Sequence, residues 1–214
     1  MSLRRCIEAV AVCAAILALG GCASGGGKPD ARGDGVPAGV ENASFGAEVP
    51  PEAQTLYEQA VAIMAAGDLV EAELRLKEFL LQYPGYPGVW VNLAIIHRES
   101  GNDEQAHQDV EQALAIDPNH PAALNQQGLL LRKNGKFLEA EAAYLKAVTA
   151  SPEYALAHYN LGVLNELYLQ RLDAALQHFE IYQSLVGEDK QVEKWITDLR
   201  RRVAANQRTA NVAE

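Results

Sequence analysis

Small residues and prolines recur at a fixed interval along most of this 214-residue chain. Successive members of each column lie 34 positions apart, as positions 67, 101 and 135 do. The columns are Gly67, Gly101 and Gly135; Ala72, Ala106, Ala140 and Ala174; Pro84, Pro118 and Pro152; and Ala60, Ala94, Gly128 and Gly162. Such a period is typical of an array of supersecondary units, each burying its apolar face against its neighbours.

Composition indicates what these units are made of and which partners they exclude. Alanine and leucine dominate, and the alternating Val, Ile and Thr patterns of strands are missing, so we expect an all-α domain. The chain carries 28 acidic and 18 basic side chains, a net charge of −10. A field of this sign opposes binding to phosphate backbones, so no nucleic-acid partner is expected.

The columns resemble the tetratricopeptide repeat, which places a large apolar residue, small residues and a proline at fixed positions. Repeats over 53–86, 87–120, 121–154 and 155–188 satisfy that frame. The third matches best, through Leu124, Gly128, Leu131, Gly135, Phe137, Ala140, Tyr144, Ala147 and Pro152. The resemblance implies a right-handed α-solenoid of four helix pairs, in which small residues let the two helices of a pair approach.

The fourth repeat departs from the pattern. Leu169 replaces the glycine of the turn, His158 takes the large apolar position, and His178, with Phe179 beside it, replaces the aromatic residue of the second helix. These departures leave the register of the last pair open by one residue.

A further helix is predicted over residues 189–205, after Gly187. Its apolar stripe comprises Val192, Trp195, Ile196, Leu199 and Val203. We assign it as a cap over the open end of the last repeat; the alternative is a helix that binds a partner or a membrane surface. Residues 206–214 are expected to form a disordered tail.

The N-terminus has the layout of a secretory signal. Arg4 and Arg5 precede an apolar stretch over Ala9–Leu19, too short to span a bilayer. Leu19-Gly20-Gly21-Cys22 resembles the lipobox of bacterial lipoproteins, which implies cleavage of residues 1–21, lipidation of Cys22 and attachment to a membrane through the acyl chains. An ordinary signal peptide with a chance cysteine is the alternative.

Two further expectations concern the segment that follows. In the lipoprotein pattern, the Ala and Ser that follow the cysteine imply sorting to the periplasmic side of the outer membrane. Residues 23–50 contain seven glycines and three prolines, so 22–52 is predicted to be a disordered linker that starts at the lipidated cysteine.

No catalytic motif, cofactor site or metal site stands out. Cys6, Cys13 and Cys22 all precede the repeats, which excludes a disulfide framework or a cysteine-based zinc site. His97 occupies an inward-facing helical position, where a hydrogen-bonded histidine is expected rather than a metal ligand. We therefore predict a protein that is not an enzyme and needs no cofactor.

The family resemblance implies a concave groove, lined by the first helix of each repeat, that takes a peptide or a helix. Transferred to this chain, the groove positions are Tyr57, Val61, Met64, Val91, Asn92, Ile95, Arg98, Asn125, Gln126, Leu129, Arg132, Lys133, Tyr159, Asn160, Val163 and Glu166. Three asparagines are expected to bond an extended backbone, and Tyr57 and Tyr159 to act as anchors. Only Asn92 matches the carboxylate clamp of chaperone-binding members, so an acidic C-terminal peptide is not the expected ligand.

The sequence thus predicts an outer-membrane lipoprotein that acts as a protein-binding adaptor in assembling or regulating an envelope complex. The resemblance leaves pilus or secretin assembly and scaffolding of cell-wall hydrolases both open. Two alternatives are an enzyme acting on an envelope substrate and a cytosolic interaction module. Turnover by the purified domain would favour the first, and absence of lipid on Cys22 the second.

Overall fold

The computed structural model describes residues 50–212, and their side chains as far as residue 209. Within that range the chain forms nine α-helices and no strand. They are α1 (Pro51–Ala65), α2 (Leu69–Gln82), α3 (Pro87–Glu99), α4 (Asp103–Ile116), α5 (Pro121–Lys133), α6 (Phe137–Ala150), α7 (Ala155–Leu167), α8 (Leu172–Val186) and α9 (Lys190–Val212). The first eight form four pairs that follow the predicted repeats. Below, α1, α3, α5 and α7 are the A helices, and α2, α4, α6 and α8 the B helices.

Each of the first three pairs is closed by a short turn that depends on a glycine. Gly67, Gly101 and Gly135 have φ of 86°, 77° and 74°, in the left-handed region that glycine adopts without steric cost. In the first turn, the Asp68 side chain then accepts a bond from the Glu71 amide and caps α2.

Glycines also let the helices of a pair approach closely. A Cβ built on Gly128 would lie 2.4 Å from the ring of Tyr144, and one on Gly162 would lie 2.7 Å from the ring of Phe179. Both rings are fully buried. The A and B helices of the last two pairs therefore pack at a distance that only glycine permits.

The pairs stack into an array whose curvature follows from the helix contacts. Besides its sequence neighbours, α3 contacts α5, and α5 contacts α7. Over the described residues, successive B helices make no comparable contact. The A helices therefore line the inner side of the array and the B helices the outer side, which confirms the predicted all-α solenoid.

The last pair is offset by one residue from the 34-residue frame. Its turn holds four residues, 168–171, and the left-handed conformation falls on Gln170, with φ of 54°, rather than on Leu169. Ala175 is consequently the buried small residue of α8, where the period predicted Ala174. Phe179 likewise takes the aromatic position assigned to His178, because it is Phe179 that packs on Gly162.

Helix α9 caps the array and is longer than predicted. All five residues of its apolar stripe are buried, and α9 packs on α8, as the capping assignment requires. The ring of Trp195 lies 5.6 Å from that of Phe179 and 6.1 Å from that of Tyr159. The helix continues to Val212, so residues 206–212 are helical and the predicted disordered tail is wrong over that stretch.

The predictions for the N-terminus lie outside the described residues. They comprise the signal segment 1–21, the lipidated Cys22 and the linker as far as residue 49. The linker was predicted to extend to residue 52, but α1 already begins at Pro51. No helix within the described part is long and apolar enough to cross a membrane.

Candidate protein-binding groove

The predicted groove residues lie on the A helices, but most of them are not at the surface. Twelve of the sixteen are buried, whereas Val61, Arg98 and Arg132 are half-buried and Lys133 is exposed. The buried ones are Tyr57, Met64, Val91, Asn92, Ile95, Asn125, Gln126, Leu129, Tyr159, Asn160, Val163 and Glu166. These side chains do not form an open face, because side chains that face inward on one A helix meet the next repeat; their role in binding a partner stays a prediction. A single helix considered alone does not reveal that contact.

Tyr57 is one of the two predicted anchors, and it is a core residue instead. Its ring packs edge-on against Phe79 at 6.1 Å, and its hydroxyl accepts a 2.7 Å bond from Nδ2 of Asn92. This bond joins α1 to α3. Asn92 therefore helps to hold the first two repeats together.

Tyr159, the other predicted anchor, belongs to the aromatic cluster beneath the cap. Its ring lies 5.3 Å from Tyr182 and 6.0 Å from Phe179. Glu166 is tied to the cap as well, through a 2.5 Å contact between its Oε1 and Nη1 of Arg202. Both residues therefore connect the last repeat to α9.

Asn125 and Asn160 form a buried amide pair between α5 and α7. Nδ2 of Asn160 donates to Oδ1 of Asn125 over 2.8 Å, and neither side chain has exposed surface. Nδ2 of Asn125 and Oδ1 of Asn160 find no hydrogen-bond partner. Buried polar atoms are nearly always hydrogen-bonded, so these two are unusual. The pair thus has one donor and one acceptor on the inner side of the array that a ligand could bond.

Two guanidinium groups stand near each other on successive A helices. Nε of Arg98 donates to Oε1 of Gln126 over 3.2 Å, and Arg132 lies 5.8 Å from the centroid of the Tyr168 ring. Burial lowers the pKa of Arg98, and the charge of Arg132 acts in the same direction. The two guanidinium groups bring positive charge to the inner side of an acidic protein.

A polar cluster around His97 joins the first two repeats. Nδ1 of His97 lies 2.5 Å from Oδ2 of Asp109, and Nε2 lies 3.2 Å from Oε1 of Glu73. A neutral imidazole has one N–H, so the two contacts together require one further proton, on His97 or on a carboxylate. Burial raises the pKa of Asp109.

The cluster has the character expected for His97, a histidine satisfied by hydrogen bonds. Its two carboxylates lie on opposite ring nitrogens. No group of three or more His, Cys, Asp or Glu side chains between residues 50 and 209 is arranged to hold a metal ion. No sequence pattern indicated the partners, which lie 12 and 24 positions away from His97.

Two family models, both described as tetratricopeptide repeat, match residues 64–127 and 125–189. The chain belongs to the tetratricopeptide repeat family. Members of this family generally bind other proteins, and the repeats of this chain form such an interaction scaffold.

Among solved structures, this tetratricopeptide array is similar to PilF of Pseudomonas aeruginosa, with a TM-score of 0.62, 24% identity and coverage of 72% of each chain. It is also similar to the first tetratricopeptide domain of Spaghetti (RPAP3) bound to the HSP90 peptide SRMEEVD. There the TM-score is 0.51 and the identity 19%, over 55% of this chain and 95% of that one. At these identities the likeness shows the fold alone.

Among curated proteins, the human protein O-mannosyl-transferase TMTC2 is 36% identical over 67 residues, which are 31% of this chain and 8% of the transferase. The chain spans less than a tenth of the curated relative.

Proposed function

We propose that the domain binds a segment of another protein along the inner side of its A helices, and thereby serves as an adaptor in an envelope complex. The observation that carries this proposal is the amide pair of Asn125 and Asn160. An extended polypeptide offers both a carbonyl acceptor and an N–H donor along one edge. These are the complements of the donor and the acceptor that the pair leaves unused.

The free energy argument supports a ligand at this pair. An unsatisfied buried polar atom costs about 1–3 kcal/mol, so a ligand that bonds both atoms recovers that cost on binding. Because neither residue is exposed, the inner side has to open on binding. An array in which each repeat contacts mainly its neighbours permits such opening.

Two further observations support the proposal: the positive charge on the inner side and a peptide bound to a domain of the same fold. Arg98 and Arg132 favour a partner segment with acidic side chains near the middle of the array. The RPAP3 domain, which has the same fold, holds a peptide. The proposed ligand here is an internal segment rather than a C-terminal carboxylate, since the clamp residues are missing apart from Asn92.

We also propose that the protein is a lipoprotein tethered through Cys22 at the periplasmic side of the outer membrane. Support comes from the lipobox-like Gly20-Gly21-Cys22 and from the Ala and Ser that follow it. Cys22→Ser should abolish labelling by a radioactive fatty acid and release the protein from membrane fractions. Equal fractionation of the two proteins without lipid labelling would contradict the tether and favour the cytosolic alternative.

Within the envelope, pilus or secretin assembly and scaffolding of cell-wall hydrolases are the two roles we propose, and both involve binding without catalysis. The transferase activity named for TMTC2 belongs to a protein of which this chain matches 8%. Turnover of a wall or lipid substrate by the purified domain, lost on changing a histidine, would overturn the assignment as a binding protein.

Groove binding is tested by crosslinking in intact envelopes. A photo-crosslinking amino acid is placed at half-buried Arg98 on the inner side and, as a matched control, at exposed Leu138 on the B helix α6. We expect a discrete adduct from position 98 and none from position 138. The double variant Asn125→Ala with Asn160→Ala should give less of this adduct while its helicity equals that of the unchanged protein. The same adduct from both positions, or no effect of the double variant, would count against binding at the inner side.

A further inference from the structure

Two imidazoles of the last repeat face each other. His158 lies on α7 and His178 on α8, and their Nδ1 atoms are 3.2 Å apart. His158 is buried and His178 half-buried, so the pair lies just below the surface. It is separate from the amide pair and from the His97 cluster.

The hydrogen bonds fix the tautomers in the metal-free protein. Nε2 of His158 lies 3.0 Å from the carbonyl oxygen of Pro152, which can only accept. Nε2 of neutral His158 therefore carries the proton, and its Nδ1 presents a lone pair. Nδ1 of His178 then donates to that lone pair, while Nε2 of His178 has no partner among the described residues.

The position of His158 argues against a simple packing role. Leu56, Trp90 and Leu124 stand in the other repeats where His158 stands in the fourth. In the corrected register of α8, the residues equivalent to His178 are Arg75, Asp109 and Ala143. The position of His158 is thus apolar in the other repeats and that of His178 varies, whereas the fourth repeat places two metal-ligating side chains in contact.

We propose that His158 and His178 bind a first-row divalent metal ion, such as Zn²⁺ or Cu²⁺, through their Nδ1 atoms. Zinc–imidazole bonds are about 2.0–2.1 Å long, so two nitrogens 3.2 Å apart subtend about 100° at the metal, close to a tetrahedral angle. The bond from His158 to the Pro152 carbonyl is the outer contact that orients a ligating histidine.

A small adjustment accompanies binding. The ring centroids are 5.4 Å apart and the ring planes are inclined by 41°, so the two nitrogens now point nearly at each other. Each ring has to turn about its Cβ–Cγ bond until both lone pairs meet at the metal, and this torsion is broad for histidine.

Binding of the metal moves one proton within the pair. The proton between the two Nδ1 atoms moves to the unused Nε2 of His178 through solvent exchange. Metal binding then releases no net proton.

The site leaves part of the coordination sphere open. The described residues supply no third histidine or carboxylate to it. Water or a side chain of a bound partner completes the sphere, as at metal sites with an open position.

The test is equilibrium dialysis of the tag-free full chain against Zn²⁺ near pH 7.5, with His158→Leu, His178→Ala and His107→Gln compared. His158→Leu installs the residue of the first and third repeats, and His178→Ala that of the third. His107 lies on α4 outside the pair and serves as the control. We expect saturable binding of one Zn²⁺ per chain, weakened at least tenfold in both pair variants and retained in His107→Gln.

A second measurement shows which atoms bind. Long-range ¹H–¹⁵N spectra should show the Nδ1 resonances of His158 and His178 shifting on addition of Zn²⁺. If circular dichroism shows that His158→Leu does not fold, the Zn²⁺ binding of His178→Ala, a variant at a half-buried position, tests the proposal instead. No saturable binding, or binding that survives in folded His178→Ala, would mean that the pair is only an N–H···N hydrogen bond and would overturn the proposal.

Discussion

The ring of Tyr144 occupies the space where a side chain at residue 128 would lie. A Cβ on Gly128 would approach Cε1 of Tyr144 to 2.4 Å, a distance at which one of the two helices has to shift. The contact between α5 and α6 is therefore set by one glycine and one buried ring, in the repeat that best matches the family pattern.

Gly128→Ala should lower the free energy of unfolding by about 1–3 kcal/mol, as overpacking of a well-filled core does. Gly85→Ala is the matched control, because a Cβ there meets nothing within 4 Å. Urea unfolding measures both, and the control should change by about 0.5 kcal/mol or less. Equal effects of the two variants would show that the close approach of α5 and α6 does not depend on Gly128.

Gln170→Gly should stabilise the protein by about 1 kcal/mol, because it removes a non-glycine residue from the left-handed region at φ of 54°. Leu169→Gly discriminates between the two registers of the last turn. Leu169 packs against the cluster of Leu129, Tyr144, Leu161 and Leu164, so its loss should destabilise. A melting temperature that rises with Leu169→Gly and falls with Gln170→Gly would contradict the offset register.

Trp195→Ala should destabilise the C-terminal end by about 3 kcal/mol, through the loss of a buried ring that contacts Tyr159 and Phe179. Hydrogen exchange should show the loss mainly in α7, α8 and α9, since repeat arrays lose stability locally. Arg208→Ala, an exposed position on the same helix, is the control. A uniform rise in exchange over all repeats would show that α9 is not a local cap.

The stability of the metal-free protein should fall as the pH decreases from about 6.5 to about 4. The pKa of His178 is lowered to about 4 from 6.5 by burial and by His158, so the unfolded chain takes up the proton first. Burial lowers the pKa of His120 too, which acts in the same direction. His178→Gln should flatten this pH dependence without changing stability above pH 7, as measured by urea unfolding with a chelator present. An identical slope in the variant would contradict the lowered pKa.

The sequence predicted the first three repeats well because the turns within their helix pairs have equal length. Equivalent side chains in these repeats therefore stay 34 positions apart. It failed in the fourth repeat because one extra residue in the turn moves Ala175 and Phe179 into the places assigned to Ala174 and His178. The sequence left the register of the last pair open by one residue. No sequence pattern distinguishes a turn of three residues from a turn of four at this point.

The candidate site was harder to predict than the fold. The family pattern identified the A helices, but not that Tyr57 would bond to Asn92, or Asn160 to Asn125, across 35 positions. Such contacts arise from the stacking of one repeat on the next. The end of α9 was missed for a different reason: a polar sequence was interpreted as a tail, although residues such as Ala204, Ala205 and Gln207 favour helix continuation.

The A helices contact one another in single file, from α3 to α5 and from α5 to α7. A mechanical load applied between the two ends of the array therefore passes through every joint in series. Under tension, resistance is set by the weakest joint rather than by the sum of all of them, so strengthening any other joint leaves the rupture force unchanged.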